Sequence, residues 1–197
     1  MKDVFKKSVY GVGYLGFGTH KTRFNNKATK TYVAWKNMMF RCYGNNRLKS
    51  FPTYVNCFVC EEWHNFQNFS EWFNSKYVEG YHMDKDLLFK DNNIYGPSTC
   101  VFIPQEINKM LTKTDSKRGE YPIGVFYNKN ISKFTAQICI GFKKRKFLGN
   151  FNNCNDAFFE YKKEKENIIK ETAEKYRDAI SEQAYVALLE YKVNITD

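Results

Sequence analysis

The sequence contains no window of about 18 uncharged apolar residues, the length a membrane-spanning helix needs, so a helical membrane span is excluded. Its opening, MKDVFKKSVYG, carries charge and glycine where a secretory leader has an apolar stretch. The expectation is a soluble, cytoplasmic protein with no membrane partner. Acidic residues are also scarce: 21 Asp and Glu stand against 31 Lys and Arg, a net charge of +10 over 197 residues. Residues 1–30 hold seven basic and one acidic side chains, and residues 113–148 hold nine and two. Such clustering is the electrostatic footprint of a polyanion binder, most plainly a nucleic acid, with a solvated basic face as the alternative. Arginine is rarer still, six against 25 lysines. Together with abundant Asn, Tyr and Phe, this is also the composition an A/T-rich genome produces, so charge alone does not name the partner.

Second Cys-x-x-Cys knuckles are absent. Six cysteines occur (42, 57, 60, 100, 139, 154), and Cys57 and Cys60 form the one close pair. A four-thiolate zinc site would have to recruit the isolated Cys42 and Cys100, so structural Zn²⁺ is not expected and buried thiols packing as small apolar groups are. The letters Gly11-x-Gly13-x-x-Gly16 match a dinucleotide fingerprint. No apolar strand precedes them and no amphipathic helix follows, so the segment reads as a turn-rich ribbon.

What is present is one medium domain or two small ones, with 43% hydrophobic residues to build their cores. Val33, Trp35, Met38, Met39 and Cys42 recur at three- and four-residue spacing and predict a helix over 32–43; Phe66, Phe69, Trp72 and Phe73 predict another over 66–73. Between 80 and 108, two short strands joined by a polar turn and a helix start after Pro104 form a ββα unit. A basic linker, 113–120, leads to strands over 121–127, 133–140 and 143–148 and a long amphipathic helix from about Asn155. Phe134, Ala136, Ile138 and Ile140 alternate with Thr135, Gln137 and Cys139, as a half-buried strand requires.

Three groups of motifs carry a resemblance. Trp35-x-x-Met38-x-x-Arg41-Cys42-Tyr43, Val59-Cys60-Glu61-Glu62-Trp63 with Phe66-x-x-Phe69-x-x-Trp72, and Met83-Asp84-Lys85-Asp86 followed by Tyr95-Gly96-Pro97-x-Thr99-Cys100 resemble, in order and spacing, the phage HNH-type (homing-like) endonucleases over residues 10–112. The resemblance implies a ββα-metal module in which Asp84 and Asn108 hold Mg²⁺ or Mn²⁺ beside a scissile phosphate, and in which His82 or Asp86 orients water. Lys85 stands where that family carries its histidine base and implies a phosphate contact; Thr99 replaces an asparagine. Ile123-Gly124-Val125, Lys133-Phe134-Thr135-Ala136-Gln137-Ile138, Lys146-Phe147-Leu148-Gly149-x-Phe151 and Asp156-Ala157 are similar to the APETALA-type DNA-binding domain over 121–176. That likeness implies a three-stranded antiparallel sheet packed on one long helix.

The strand face opposite the helix would meet double-stranded DNA through Asn128, Lys133, Thr135, Gln137, Lys143, Lys144, Arg145 and Lys146. Gln pairs bidentately with adenine, and lysines neutralise phosphates. The expected fold class is therefore α+β, with an HNH-like module over 1–112, the linker, and an APETALA-like domain with a C-terminal helical extension over 121–197. The expected function is metal-dependent hydrolysis of phosphodiester bonds in duplex DNA by a phage protein acting in the host cytoplasm. The alternatives are a catalytically inactive nuclease-fold binder that regulates or inhibits a host system through a protein partner, and a single-strand or RNA binder.

Overall fold

The computed structural model describes residues 3–112, 120–141 and 144–197; most of the basic linker expected at 113–120 lies outside them. The fold is α+β, with several small sheets and six helices among the described residues. No described helix is long and apolar enough to cross a membrane. The chain divides into two compact units, Met1–Pro104 and Gln105–Asp197.

In the first unit, β1 (Arg23–Phe24) and β2 (Lys27–Ala28) form a hairpin whose turn residues Asn25 and Asn26 both take positive φ, 47° and 60°. That is the turn geometry matching the twist of a two-residue hairpin, and asparagine tolerates it. Helix α1 (Lys30–Tyr43) starts where the Thr29 side chain accepts from the Tyr32 N–H. It buries Trp35, Met38, Met39 and Cys42, the predicted stripe. A short α2 (Arg47–Ser50) and β3 (Phe58–Val59) precede α3 (Phe66–Lys76), which is capped by Asn65 and buries Phe66, Phe69 and Phe73. Strand β4 (Tyr81–Asp84) pairs antiparallel with β6 (Val101–Pro104). Between them in sequence, β5 (Ile94–Tyr95) leaves the hairpin to pair in parallel with β3.

The core of this unit is aromatic. Trp35, Trp63, Phe66 and Phe69 are fully buried, and the Trp35 Nε1–H donates to the Trp63 carbonyl at 2.7 Å. The glycine-rich ribbon lies directly on it: Tyr14 N–H donates to His64 O, and Phe66 N–H to Tyr14 O. A Cβ at Gly13 would stand 2.9 Å from the Trp35 ring and one at Gly16 2.0 Å from the Asn65 side chain, so these two glycines serve close packing. Cys42, Cys57 and Cys100 are buried, and burial pushes the Cys42 and Cys100 thiols up to about 12, which keeps them protonated.

In the second unit, β7 (Val125–Asn128), β8 (Lys133–Gly141) and β9 (Lys144–Phe151) form an antiparallel sheet in that order. Helix α5 (Cys154–Lys175), capped by Asn153, covers one face, with Ala157, Phe158 and Tyr161 against Val125, Ala136 and Ile138. Gly124, at φ +78°, lets β7 start beneath Tyr161, whose ring would lie 2.0 Å from any Cβ there. Two further helices join this unit, so α5 is not its only one. They are α4 (Gln105–Leu111) and α6 (Glu182–Leu189). The sequence reading ran the first domain through 112, but α4 is fastened to α5. Lys165 Nζ donates to the Met110 carbonyl at 2.7 Å, and Lys175 pairs with Glu106 at 2.6 Å.

Candidate nucleic-acid interface

The resemblance to a nuclease pointed first to the β4 hairpin. Tyr81 and Met83 pack on the aromatic core, so alternation turns His82 and Asp84 to the other face of β4, with His82 exposed. Asp84 Oδ1 accepts the backbone N–H groups of both Asp86 (2.9 Å) and Leu87 (2.7 Å), closing the turn that leaves the strand. Burial outweighs those two bonds and raises the carboxyl above its ordinary range. The Lys85 side chain runs inward instead. Its side chain is only 8% exposed, and Nζ donates to Asp86 Oδ1 and to the Asn92 carbonyl between the Tyr54 and Tyr95 rings. Asn92 completes the knot: its Nδ2 donates to the carbonyls of Lys85 and Ile94 at 2.8 and 2.7 Å.

Lys85 is therefore committed to the interior of the first unit, because its chain direction and four polar or aromatic partners hold it there. Asp86 spends an oxygen on that lysine. Asn108 stands on α4, in the second unit. Among the described residues no three His, Cys, Asp or Glu side chains gather as a metal site would need. The geometry at Asp84 agrees: a hard divalent cation favours accessible oxygens, whereas this carboxyl is half-buried and its Oδ1 already accepts from two N–H groups.

The sheet of the second unit is different. Residues 121–151, which contain all three strands, hold six Lys or Arg and no Asp or Glu. The face turned away from α5 is set by β8. Ala136 and Ile138 are buried on the helix side, so Thr135, Gln137 and Cys139 fall on the other. Register places Phe126 and Asn150 beside Thr135, Phe147 beside Gln137, and Arg145 beside Cys139. Lys133 and Asn128 pair at the hairpin end, and Lys133, Lys144 and Arg145 are exposed.

The structure reassigns several of the residues expected on this face. A bulge falls where Ala136 pairs with Gly149 but Gln137 pairs with Phe147, which leaves Leu148 as the extra residue. One inserted residue exchanges the faces of everything before it. Lys146 thereby lies beside Ile138 on the helix side, and its ammonium pairs with Glu164 of α5 at 2.8 Å. Phe147, unassigned from sequence, turns outward with 62% of its surface exposed. Thr135 is on the open face yet only 5% exposed, and its hydroxyl donates to Asn150 Oδ1 at 2.7 Å, an internal use. Asn128 Oδ1 accepts from the Asn130 N–H and shapes the β7–β8 turn. Lys143 lies outside the described residues. Gln137, Lys133 and Arg145 stand on the open face as expected, joined by Phe126 and Phe147, whereas Lys144, next to Arg145 on β9, falls by alternation on the side of Lys146 and is exposed there.

No family model, curated protein or solved structure matches this chain. Any functional reading therefore rests on the residues themselves, and on this sheet they form a cationic face with a polar and aromatic centre.

Proposed function

We propose that the protein binds double-stranded DNA through the open face of the β7–β9 sheet, and that its β4 hairpin is structural rather than hydrolytic. The observation that carries this reading is the acid-free sheet with Lys133 and Arg145 exposed on the face of Gln137 and Lys144 exposed at its edge. In this reading the cations neutralise phosphates and release counterions, which supplies affinity, while the centre of the face addresses base edges. A three-stranded sheet also has suitable dimensions. Strands about 4.8 Å apart put the outer two about 10 Å from one another, against a major groove about 12 Å wide.

The hydrolytic reading drawn from the HNH resemblance, with Mg²⁺ or Mn²⁺ held by Asp84 and Asn108, receives less support. The acidic and basic groups of the hairpin are already paired with their own chain, so no step is assigned to them. What remains is the inactive nuclease-fold alternative, a DNA binder of regulatory or inhibitory role. Two measurements test it. Fluorescence anisotropy on a labelled duplex should give binding that weakens steeply with salt and falls on Arg145→Ala; salt-independent or absent binding defeats the reading. A supercoiled plasmid incubated with Mg²⁺ or Mn²⁺ should stay intact; nicking that disappears in Asp84→Ala would restore the enzyme.

A further inference from the structure

We propose that the open sheet face selects A·T base pairs in the major groove, with the Phe147 ring against the thymine 5-methyl group and the Gln137 amide on the adenine edge. The proposal deepens the DNA-binding reading above and rests on it.

Phe147 and Gln137 are direct cross-strand partners on the face away from α5, so their Cβ atoms stand about 5 Å apart. In the major groove an A·T pair presents two features side by side that no other pair combines: an N7 acceptor with an N6 amino donor on adenine, and a methyl group on thymine. A carboxamide satisfies the first by donating to N7 and accepting from N6. An apolar surface satisfies the second. The protein places one of each next to the other at the centre of β8 and β9, and the bulge at Leu148 is what turns the ring outward there. Across β8, Phe126 lies beside Thr135 on the same face, 39% exposed, a second apolar surface one strand away.

The cations lie beyond this centre. Arg145 continues this face of β9 past Phe147, Lys144 ends the strand at the sheet edge, and Lys133 sits at the hairpin end of β8. Phosphates would thus be met at the margins and bases in the middle. Guanine readout is the competing chemistry, and it is disfavoured by position: Arg145, which could serve it, pairs with Cys139 rather than with Gln137 at the centre. Residues 121–151 supply no Asp or Glu to accept from the cytosine amino group.

The experiment removes the methyl group and nothing else. The full-length chain is titrated by anisotropy against a labelled duplex of alternating dA and dT, and against the same duplex with dU for every dT, at equal salt. Backbone charge is identical in the two, so the phosphate contribution cancels. Wild type should bind the thymine duplex about fourfold more tightly for each methyl it covers, the value of one buried apolar carbon. Phe147→Ala should bind both duplexes equally, at the affinity wild type shows for the uracil duplex. Phe147 is solvent-exposed, so this variant keeps its fold, which circular dichroism checks, and Lys146→Ala, altered on the helix side, should retain the thymine preference. Equal wild-type affinity for the two duplexes, or a preference that survives in Phe147→Ala, overturns the selection while leaving DNA binding intact. Failure to bind either duplex removes the DNA-binding reading and this inference with it.

Discussion

At Asp84 two effects pull one proton in opposite directions. Two backbone N–H groups favour the carboxylate, burial disfavours it, and burial is the larger. A carboxyl whose folded value lies above its ordinary 3.8 makes the fold more stable as pH falls through that folded value, and this contribution is absent at neutral pH. Asp84→Asn keeps an oxygen for both N–H donors and removes the charge. It should therefore match or exceed wild-type stability at pH 7 and lose the acid-side gain. Asp84→Ala removes the acceptor and should cost about 1–3 kcal/mol, the worth of two backbone N–H bonds to a carboxylate, one of them part-buried. Thermal melts of the three proteins at pH 7 and at mildly acid pH separate these outcomes; an Asn variant as damaged as the Ala variant would mean the charge itself is required. Lys85 makes a second case. Its ammonium is held by Asp86, the Asn92 carbonyl and two tyrosine rings, so Lys85→Ala should lower stability by about 1.5–3 kcal/mol and leave DNA affinity unchanged. A loss of affinity at unchanged stability would make it a phosphate contact after all.

At the scale of elements, β9 shows what strand patterning can and cannot deliver. The stripe Phe134, Ala136, Ile138 fixed the inward face of β8 because period-two alternation holds that far; Ile140, expected in the same stripe, is 51% exposed at the register shift between Cys139 and Gly141. Helices α1, α3 and α5 were legible for the same kind of reason, apolar residues at helical spacing, while their caps Thr29, Asn65 and Asn153 emerge only from the structure. The bulge was not legible, since no alternation rule says which residue is extra. Its one trace is Gly149, at φ +145° with the Phe151 ring 3.0 Å from where a Cβ would be. A substitution there is strained on both counts, so Gly149→Ala should cost about 1–3 kcal/mol and, by disturbing the register that exposes Phe147, weaken DNA binding as well. Melting and anisotropy on the same variant test both halves; a strand that tolerates alanine with unchanged affinity would mean the bulge does not set the face. The order of residues 85–93 was not legible either. It comes from one buried lysine and one asparagine closing on backbone carbonyls, contacts that no sequence period encodes.

Over the whole molecule, the excess of positive charge is not spread thinly. Residues 4–60 hold ten Lys or Arg and no Asp or Glu, and residues 121–151 hold six and none. Each compact unit thus carries its own acid-free stretch. If the sheet were the sole contact with DNA, the slope of log affinity against log salt would be limited by its exposed cations, at about 0.9 for every phosphate neutralised. Lys133→Ala, Lys144→Ala and Arg145→Ala combined should then flatten the slope by close to three such increments. A slope that stays steep in this triple variant assigns the remainder elsewhere. The exposed hairpin of Arg23, Phe24 and Lys27 in the first unit is the place to look, and Lys27→Glu should then take off a further increment. Substituting the internally paired Lys85 or Lys146 should leave the slope where it was, because a cation already neutralised by Asp86 or Glu164 releases no counterion from DNA.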